Sequence, residues 1–141
     1  VGQGKLGDVA LLASIDQQCP TAHLCNVVFM PSRFTTVLYK VIMLRNDIHH
    51  CKASGIFLRL SAGGLIADNN IHSNYEAGVD IRKGANPLVL CNKIHSGLRS
   101  GIVVVGNGKG VIRSNQIYGN KEAGIYILYN GNPAVRYVSW H

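Results

Sequence analysis

The chain has 141 residues, 47% of them hydrophobic, and its 14 basic and 7 acidic side chains give a formal charge of +7. This length predicts a single domain with enough apolar residues for an ordered core. No apolar run reaches the roughly 18 residues of a membrane span, and no charged segment leads into an apolar stretch and a cleavage site. Neither a membrane span nor a secretory signal is therefore predicted.

Cysteine usage bears on the compartment. The four cysteines show no disulfide framework, and the chain has no N-x-[ST] sequon. We therefore expect a soluble intracellular protein of the cytoplasm, with the nucleus as the alternative compartment. The cysteines are Cys19, Cys25, Cys51 and Cys91.

Residues 1–40 do not follow the pattern found in the rest of the chain. One period of 23 residues before Asn46 stands His23, and one period before Gly55 stands Ser32, so neither position keeps its signature residue. We expect this segment to be poorly packed or to form an irregular cap. Because the chain does not begin with methionine, we also expect it to be a segment or a variant product of a longer protein.

From residue 46 the chain repeats a 23-residue unit four times without an insertion. Each unit opens with an asparagine, has an isoleucine two positions later, and has a glycine nine positions after the asparagine. An unbroken period predicts that every unit occupies an equivalent place in a solenoid and stacks on its neighbour. The asparagines are Asn46, Asn69, Asn92 and Asn115, and the glycines are Gly55, Gly78, Gly101 and Gly124.

The content of one unit predicts which solenoid it is. Three short runs rich in Ile, Val and Leu alternate with turn formers, and no helical pattern of about ten residues occurs, which excludes TPR, ankyrin and HEAT repeats. The unit predicts an all-β fold, a right-handed single-stranded parallel β-helix of four coils over residues 41–137, rising about 4.8 Å per coil. Val138 replaces the next asparagine, so residues 138–141 are expected to be a non-repeat tail.

Stacking turns each repeat position into a column of side chains. The four asparagines are predicted to form a structural ladder of hydrogen-bonded amides, and the glycines to mark a corner where a side chain would clash or φ is positive. Three aliphatic columns are predicted to form the core: Ile48, Ile71, Ile94, Ile117; Leu58, Ile81, Val104, Ile127; and Ile66, Val89, Ile112, Val135.

The acidic and histidine residues do not predict a catalytic or metal site. Asp47 and Asp68 point to opposite sides of the wall by strand alternation, so no carboxylate cluster for sugar cleavage is predicted. His49, His72 and His95 are expected to stack about 4.8 Å apart, but a row is not the closed tetrahedral set that structural zinc requires. We predict no metal and no cofactor.

Two further motifs are explained by the repeat. Gly106-Asn107-Gly108-Lys109-Gly110 imitates a nucleotide or S-adenosylmethionine loop, but no helix follows, so it is interpreted as a coil corner. The positive charge is distributed along several columns and lacks stacked surface aromatics, which argues against a dedicated nucleic-acid site.

The candidate site is the outer side of the central strand of each unit. If Ile56 and Leu58 face inward, strand alternation turns two other columns outward. The first two units give this face charge and the last two give it apolar surface, a composition typical of a partner site. The alternative is that neighbouring coils or a flanking segment of the parent cover the face. The candidate partner-binding residues are Phe57, Asp80, Val103 and Tyr126 in one column and Arg59, Arg82, Val105 and Leu128 in the other.

The phrases N-x-I-x(6)-G-[IV] at Asn69–Val79, Asn92–Ile102 and Asn115–Ile125 resemble the F-box-only proteins that carry parallel β-helix repeats of the carbohydrate-binding and sugar-hydrolase type. The resemblance covers residues 41 to about 136. It implies a non-catalytic, substrate-recognising segment of an F-box subunit of a cullin-RING ubiquitin ligase, whose partners are a substrate protein and, through other parts of the parent, ligase subunits. The alternatives are a carbohydrate-binding or sugar-cleaving β-helix and a structural spacer. The sequence does not support the arginine methyltransferase activity at times attributed to this family.

Overall fold

The computed structural model describes residues 27–29 and 41–140. Within these ranges no helix is long and apolar enough to cross a membrane. The described residues form short strands throughout: β1 Val27–Phe29, β2 Val41–Leu44, β3 Asp47–His49, β4 Ile56–Leu58, β5 Gly63–Ala67, β6 Asn70–His72, β7 Val79–Arg82, β8 Asn86–Leu90, β9 Lys93–His95, β10 Ile102–Val105, β11 Val111–Arg113, β12 Gln116–Tyr118, β13 Ile125–Leu128, β14 Ala134–Arg136 and β15 Ser139–Trp140.

The strands pair only with equivalent strands of neighbouring coils, and every pairing is parallel. The first sheet is β1-β4-β7-β10-β13, the second is β2-β5-β8-β11-β14, and the third is β3-β6-β9-β12-β15. Within the repeats, partners lie 23 positions apart, as in Ile102 opposite Ile125. The predicted all-β fold, a parallel β-helix of about four coils, is therefore confirmed.

The core lies inside the three sheets and consists of the predicted aliphatic columns. Ile48, Ile71 and Ile94 are fully buried, and so are their counterparts in the other two columns through the third coil. Alternation accounts for this pattern, since in β4 Ile56 and Leu58 are buried while the residue between them is partly exposed. In the fourth coil Ile117 is still buried, but the predicted core residues Ile127 and Val135 are 46% and 40% exposed.

Each coil turns at three corners, and a residue in the left-handed conformation stands at each. In the first coil these are Arg45 (φ 57°), His50 (φ 54°) and Leu60 (φ 54°), and equivalent positions repeat the conformation in later coils. A left-handed non-glycine residue costs roughly 1–2 kcal/mol. Hydrogen bonds between coils offset this cost; the N–H of Asp68 donates to the carbonyl of Leu90 over 3.2 Å.

The recurring glycines are required by close packing rather than by φ. A Cβ at Gly78 would lie 2.6 Å from Cγ2 of Ile94 and 2.8 Å from the carbonyl oxygen of Gly101. The φ angle of Gly78 is not positive, so contact with the next coil is the reason for glycine at this position. Of the two explanations predicted for this column, the steric one applies.

The two ends extend the sheets further than the repeat pattern predicts. Ser139 and Trp140 continue the third sheet opposite Gln116 and Ile117, so part of the expected non-repeat tail is a β-strand. The reason is that main-chain pairing and the left-handed Tyr137 (φ 51°) continue the coil although the asparagine is lost. At the other end, β1 pairs with β4. The rest of the expectation for residues 1–40 concerns residues outside the described ranges.

Candidate functional site

The four repeat asparagines form a buried ladder at one corner. Nδ2 of Asn69 donates to Oδ1 of Asn92 over 2.9 Å, and the N–H of Asn69 donates to the same oxygen over 3.0 Å. Nδ2 also donates to the carbonyl of Met43 in the preceding coil over 3.1 Å. Equivalent bonds join Asn46 to Asn69 and Asn92 to Asn115. The ladder pairs buried polar groups within the wall, except for Oδ1 of Asn46 at its first rung, which is buried without a hydrogen-bond partner among the described residues.

A second, partial amide ladder was not predicted. Oδ1 of Asn74 accepts from the N–H of Cys51 over 3.0 Å, and Oδ1 of Asn120 accepts from the N–H of Gly97 over 3.0 Å. The asparagines occupy this column only in alternate coils, so a pattern that requires identity in every unit misses them. The available signal was two asparagines separated by two periods, each five positions after a ladder asparagine.

The predicted partner-binding residues lie on the outside of the first sheet, which we call the outer face. Phe57 lies opposite Asp80, and Val103 lies between Asp80 and Tyr126 in the same register. Val103 is partly exposed and Tyr126 is exposed, whereas their neighbours Ile102 and Val104 are buried. Alternation along the strands therefore separates the core from this face.

A groove of about 450 Å³ runs along the outer face through the second, third and fourth coils. Its lining includes six of the eight predicted residues. We call the four apolar ones, Val103, Val105, Tyr126 and Leu128, the floor, and charged side chains line the rest of the groove. Such a concave, largely apolar surface with a few polar groups is the usual form of a binding site. The lining residues are Glu76, Ala77, Asp80, Arg82, Arg99, Ser100, Val103, Val105, Glu122, Tyr126, Leu128 and Tyr129.

Phe57 and Arg59 lie outside this lining but adjoin it. The guanidinium of Arg59 lies 5.8 Å from the centre of the Phe57 ring, and that of Arg82 lies 5.7 Å from the same centre. Both distances fit cation–π contacts. The ring therefore brings two cations of adjacent coils together at one end of the outer face.

Asp80 was predicted to be a partner-binding residue, but its side chain is not accessible to a partner. Its side chain is only 3% exposed and accepts two hydrogen bonds from Arg82, at 2.7 Å to Nε and 3.0 Å to Nη2. Burial raises the pKa of Asp80, and the hydrogen bonds from Arg82 oppose that rise. The bonded carboxylate raises the pKa of Arg82. Alternation correctly placed Asp80 on the outer side, but neighbouring side chains enclose it.

The wall of the groove carries an exposed ion pair. Nη1 of Arg99 lies 3.3 Å from Oε1 of Glu122, and both side chains are about half exposed or more. Such a pair contributes little to stability. It does neutralise the two charges beside the apolar floor.

The histidines stack as predicted, on the third sheet and away from the groove. The ring centres of His49 and His72 are 5.0 Å apart, those of His72 and His95 are also 5.0 Å apart, and Tyr118 continues the stack at 4.7 Å. Nε2 of His72 donates to Oδ1 of Asp47 over 3.0 Å. Among the described residues no group of three or more His, Cys, Asp or Glu is placed to hold a metal ion.

Gly106–Gly110 forms the predicted coil corner between β10 and β11. Gly106 has φ 57° and Gly110 has φ 116°, conformations that glycine adopts without strain. A Cβ at Gly110 would lie 2.9 Å from the carbonyl oxygen of Pro87. The glycines of this segment thus serve the turn and its packing.

The chain matches the family model described as right handed beta helix region over residues 34–139. A stretch of 51 residues is 77% identical to F-box only protein 10 of Mus musculus, and F-box only protein 10 of Homo sapiens matches with the same identity and length. This stretch is 36% of the chain and 5% of each relative, so it spans a small fraction of their length. No solved structure matches.

These matches confirm the resemblance to F-box-only proteins that the repeat phrases carried. The family model also agrees with the three parallel sheets and their 23-residue register. Since that model covers well over half of the chain, the chain belongs to the right-handed β-helix family.

Proposed function

We propose that this chain is the substrate-recognition segment of an F-box subunit of a cullin-RING ubiquitin ligase and is itself non-catalytic. Its role is to hold a target protein on a rigid surface while other parts of the ligase transfer ubiquitin. The likeness to F-box only protein 10 supports the assignment to an F-box subunit. The subunits of the ligase would bind parts of the parent protein outside this chain.

The observation that carries the proposal is the apolar floor of the groove. Val103, Val105, Tyr126 and Leu128 lie on two adjacent strands, β10 and β13, in direct register. Tyr126 and Leu128 are exposed although both are large and apolar. Apolar and aromatic side chains on a rigid sheet, bordered by charged residues, are typical of the centre of a protein interface.

The carboxylates of the groove favour binding over sugar cleavage. Glycoside hydrolysis requires two carboxyl groups placed on either side of the scissile bond. Three carboxylates line the groove: Asp80 is buried against Arg82, Glu122 is paired with Arg99, and Glu76 is the third. Glu76 alone does not supply the two carboxyl groups that sugar cleavage requires.

The test compares partner recovery by the tagged chain and by the double variant Val103→Asp, Tyr126→Asp in cells with and without a proteasome inhibitor. Mass spectrometry should find proteins that accumulate under inhibition and that the double variant fails to recover. The matched control is Leu88→Asp, an equally apolar and exposed position on the second sheet. The proposal is wrong if the folded double variant recovers the same proteins as the unchanged chain.

A further inference from the structure

We propose that the outer face recognises an extended protein segment with an acidic side chain that binds Arg59 and apolar side chains that bind Val103, Val105, Tyr126 and Leu128. This inference rests on the proposed function and specifies the chemistry of the partner. It requires that Arg59 is not already paired with a carboxylate, that its guanidinium is held in place, and that its distance from the apolar floor suits an extended chain.

The two arginines of the outer face differ in their pairing. Arg82 donates two hydrogen bonds to Asp80. Arg59 forms no ion pair in the part of the chain that the structure describes, and its Nε is buried there without a hydrogen-bond partner. The residue as a whole is partly exposed, and a carboxylate is the acceptor that best fits the planar donors of a guanidinium. Arg59 is thus a cation of this face that no described carboxylate neutralises.

Phe57 holds the guanidinium of Arg59 before any partner binds. The cation–π contact at 5.8 Å restricts the long side chain, so less conformational entropy is lost when a carboxylate pairs with it. Arg82, at 5.7 Å from the same ring, is paired with Asp80, so Arg59 supplies the positive charge at this end. The charge at this end of the face therefore complements an acidic side chain.

The repeat sets the distance between the charged and apolar parts. Arg59 and Leu128 occupy the same repeat position three coils apart. At about 4.8 Å per coil the separation is roughly 14 Å, which an extended chain rising about 3.3 Å per residue covers in about four residues. The partner should therefore have its acidic residue about four positions from a large apolar residue.

Glu76 makes the middle of the groove unfavourable for an acidic residue. It lines the groove and lies close enough to raise the pKa of both Asp80 and Arg82. The neighbouring charges of Arg99 and Glu122 neutralise each other. An acidic side chain is thus attracted to the Arg59 end and repelled from the centre, which gives the face its selectivity.

The experiment pans a display library of random 12-residue peptides against the immobilised 141-residue chain. Peptides that bind the unchanged chain but not Val103→Asp, Tyr126→Asp define those that use the outer face. We expect these peptides to share an Asp or Glu about four positions from a large apolar residue. Arg59→Gln should weaken such a peptide about tenfold, and replacing its acidic residue with the amide should abolish the difference between Arg59→Gln and the unchanged chain.

The control is Arg113→Gln, the same change at an exposed arginine of the second sheet, which should leave affinity unchanged. Arg59→Lys should retain part of the preference for the acidic peptide, which separates loss of charge from loss of folding. If face-dependent peptides show no acidic preference, the inference is wrong and the proposed function stands. If no peptide depends on the outer face, both are wrong.

Discussion

Arg82 forms an ion pair with a carboxylate that is far more buried than Arg82 itself: the side chain of Asp80 is 3% exposed and that of Arg82 is 45% exposed. The pair is therefore unequal. Removing the arginine leaves a buried charge, whereas removing the carboxylate leaves a cation that water can solvate.

Arg82→Met and Asp80→Asn should consequently have different effects. We expect Arg82→Met to lower the free energy of unfolding at pH 7 by about 3 kcal/mol, and Asp80→Asn to change it by less than about 1 kcal/mol. Denaturant unfolding followed by circular dichroism measures both. Equal losses would show that the pair contributes symmetrically.

The same pair gives a pH dependence. The pKa of Asp80 is higher in the folded chain than its ordinary value of 3.8, so near and above pH 3.8 the folded chain binds more protons than the unfolded chain. The contribution of this group to stability therefore falls as pH rises. Protonated Asp80 needs no cation. The deficit of Arg82→Met relative to the unchanged chain should therefore be smaller at pH 4 than at pH 7, and a deficit independent of pH would contradict the burial argument.

Gly78→Ala tests the close packing of the glycine column. The added Cβ would meet backbone at 2.8 Å, so we expect a loss of about 1–3 kcal/mol in the free energy of unfolding. Gly63→Ala is the control, because its nearest contact would be 3.6 Å and its φ is not positive. Thermal unfolding should separate the two variants, and similar melting temperatures would count against steric exclusion.

Ile94→Asp should prevent folding, since Ile94 is fully buried in the middle of a core column and an aspartate there would be an unpaired charge. Circular dichroism and limited proteolysis would report the loss. Leu88→Asp places the same charge on an exposed position and should fold. A cooperative, protease-resistant Ile94→Asp chain would contradict the assignment of this column to the core.

The lowered pKa of His95 predicts a loss of stability on mild acidification. Burial lowers its pKa from 6.5, and His72 and Lys93 lower it further, while Asp47 acts in the opposite direction. The unfolded chain therefore binds more protons near and below pH 6.5, so stability falls as pH drops from 6.5 towards the folded pKa.

The test for His95 is denaturant unfolding at pH 7.5 and pH 5.5 for the unchanged chain and for His95→Gln. The variant should lose less stability between the two values. Glutamine retains an amide that can bond to Asn70, which now accepts from Nε2 of His95 over 2.9 Å. An identical pH response in both chains would remove His95 as the cause.

The fold was predictable because the period, the asparagine and the glycine each impose a separate physical requirement. Ladder amides such as Asn69 must stack, Gly78 must lie against the next coil, and Ile94 must face inward. The observed 23-residue coil meets all three requirements. Trp140 was not predicted as a strand residue because it takes the isoleucine position without the preceding asparagine.

The candidate site was less predictable, since strand alternation gives the direction of a side chain but not its accessibility. Asp80 points outward, yet Arg82 closes over it, and this contact depends on side-chain lengths that periodicity does not represent. Arg59 and Phe57 were predicted to lie on the same face. Their mutual contact appears only when the distance between ring and guanidinium is known.

The accessible aliphatic positions of the fourth coil have a consequence for dynamics. Each coil pairs with the coils on either side of it, so local unfolding of one coil does not require all coils to unfold together. With Ile127 and Val135 exposed, the fourth coil buries less aliphatic surface than the third, where Val104 and Ile112 are fully buried. Amide hydrogen exchange should therefore be faster in β13 and β14 than in β10 and β11, and slower still in β7, which is a gradient along the axis in place of a single global rate.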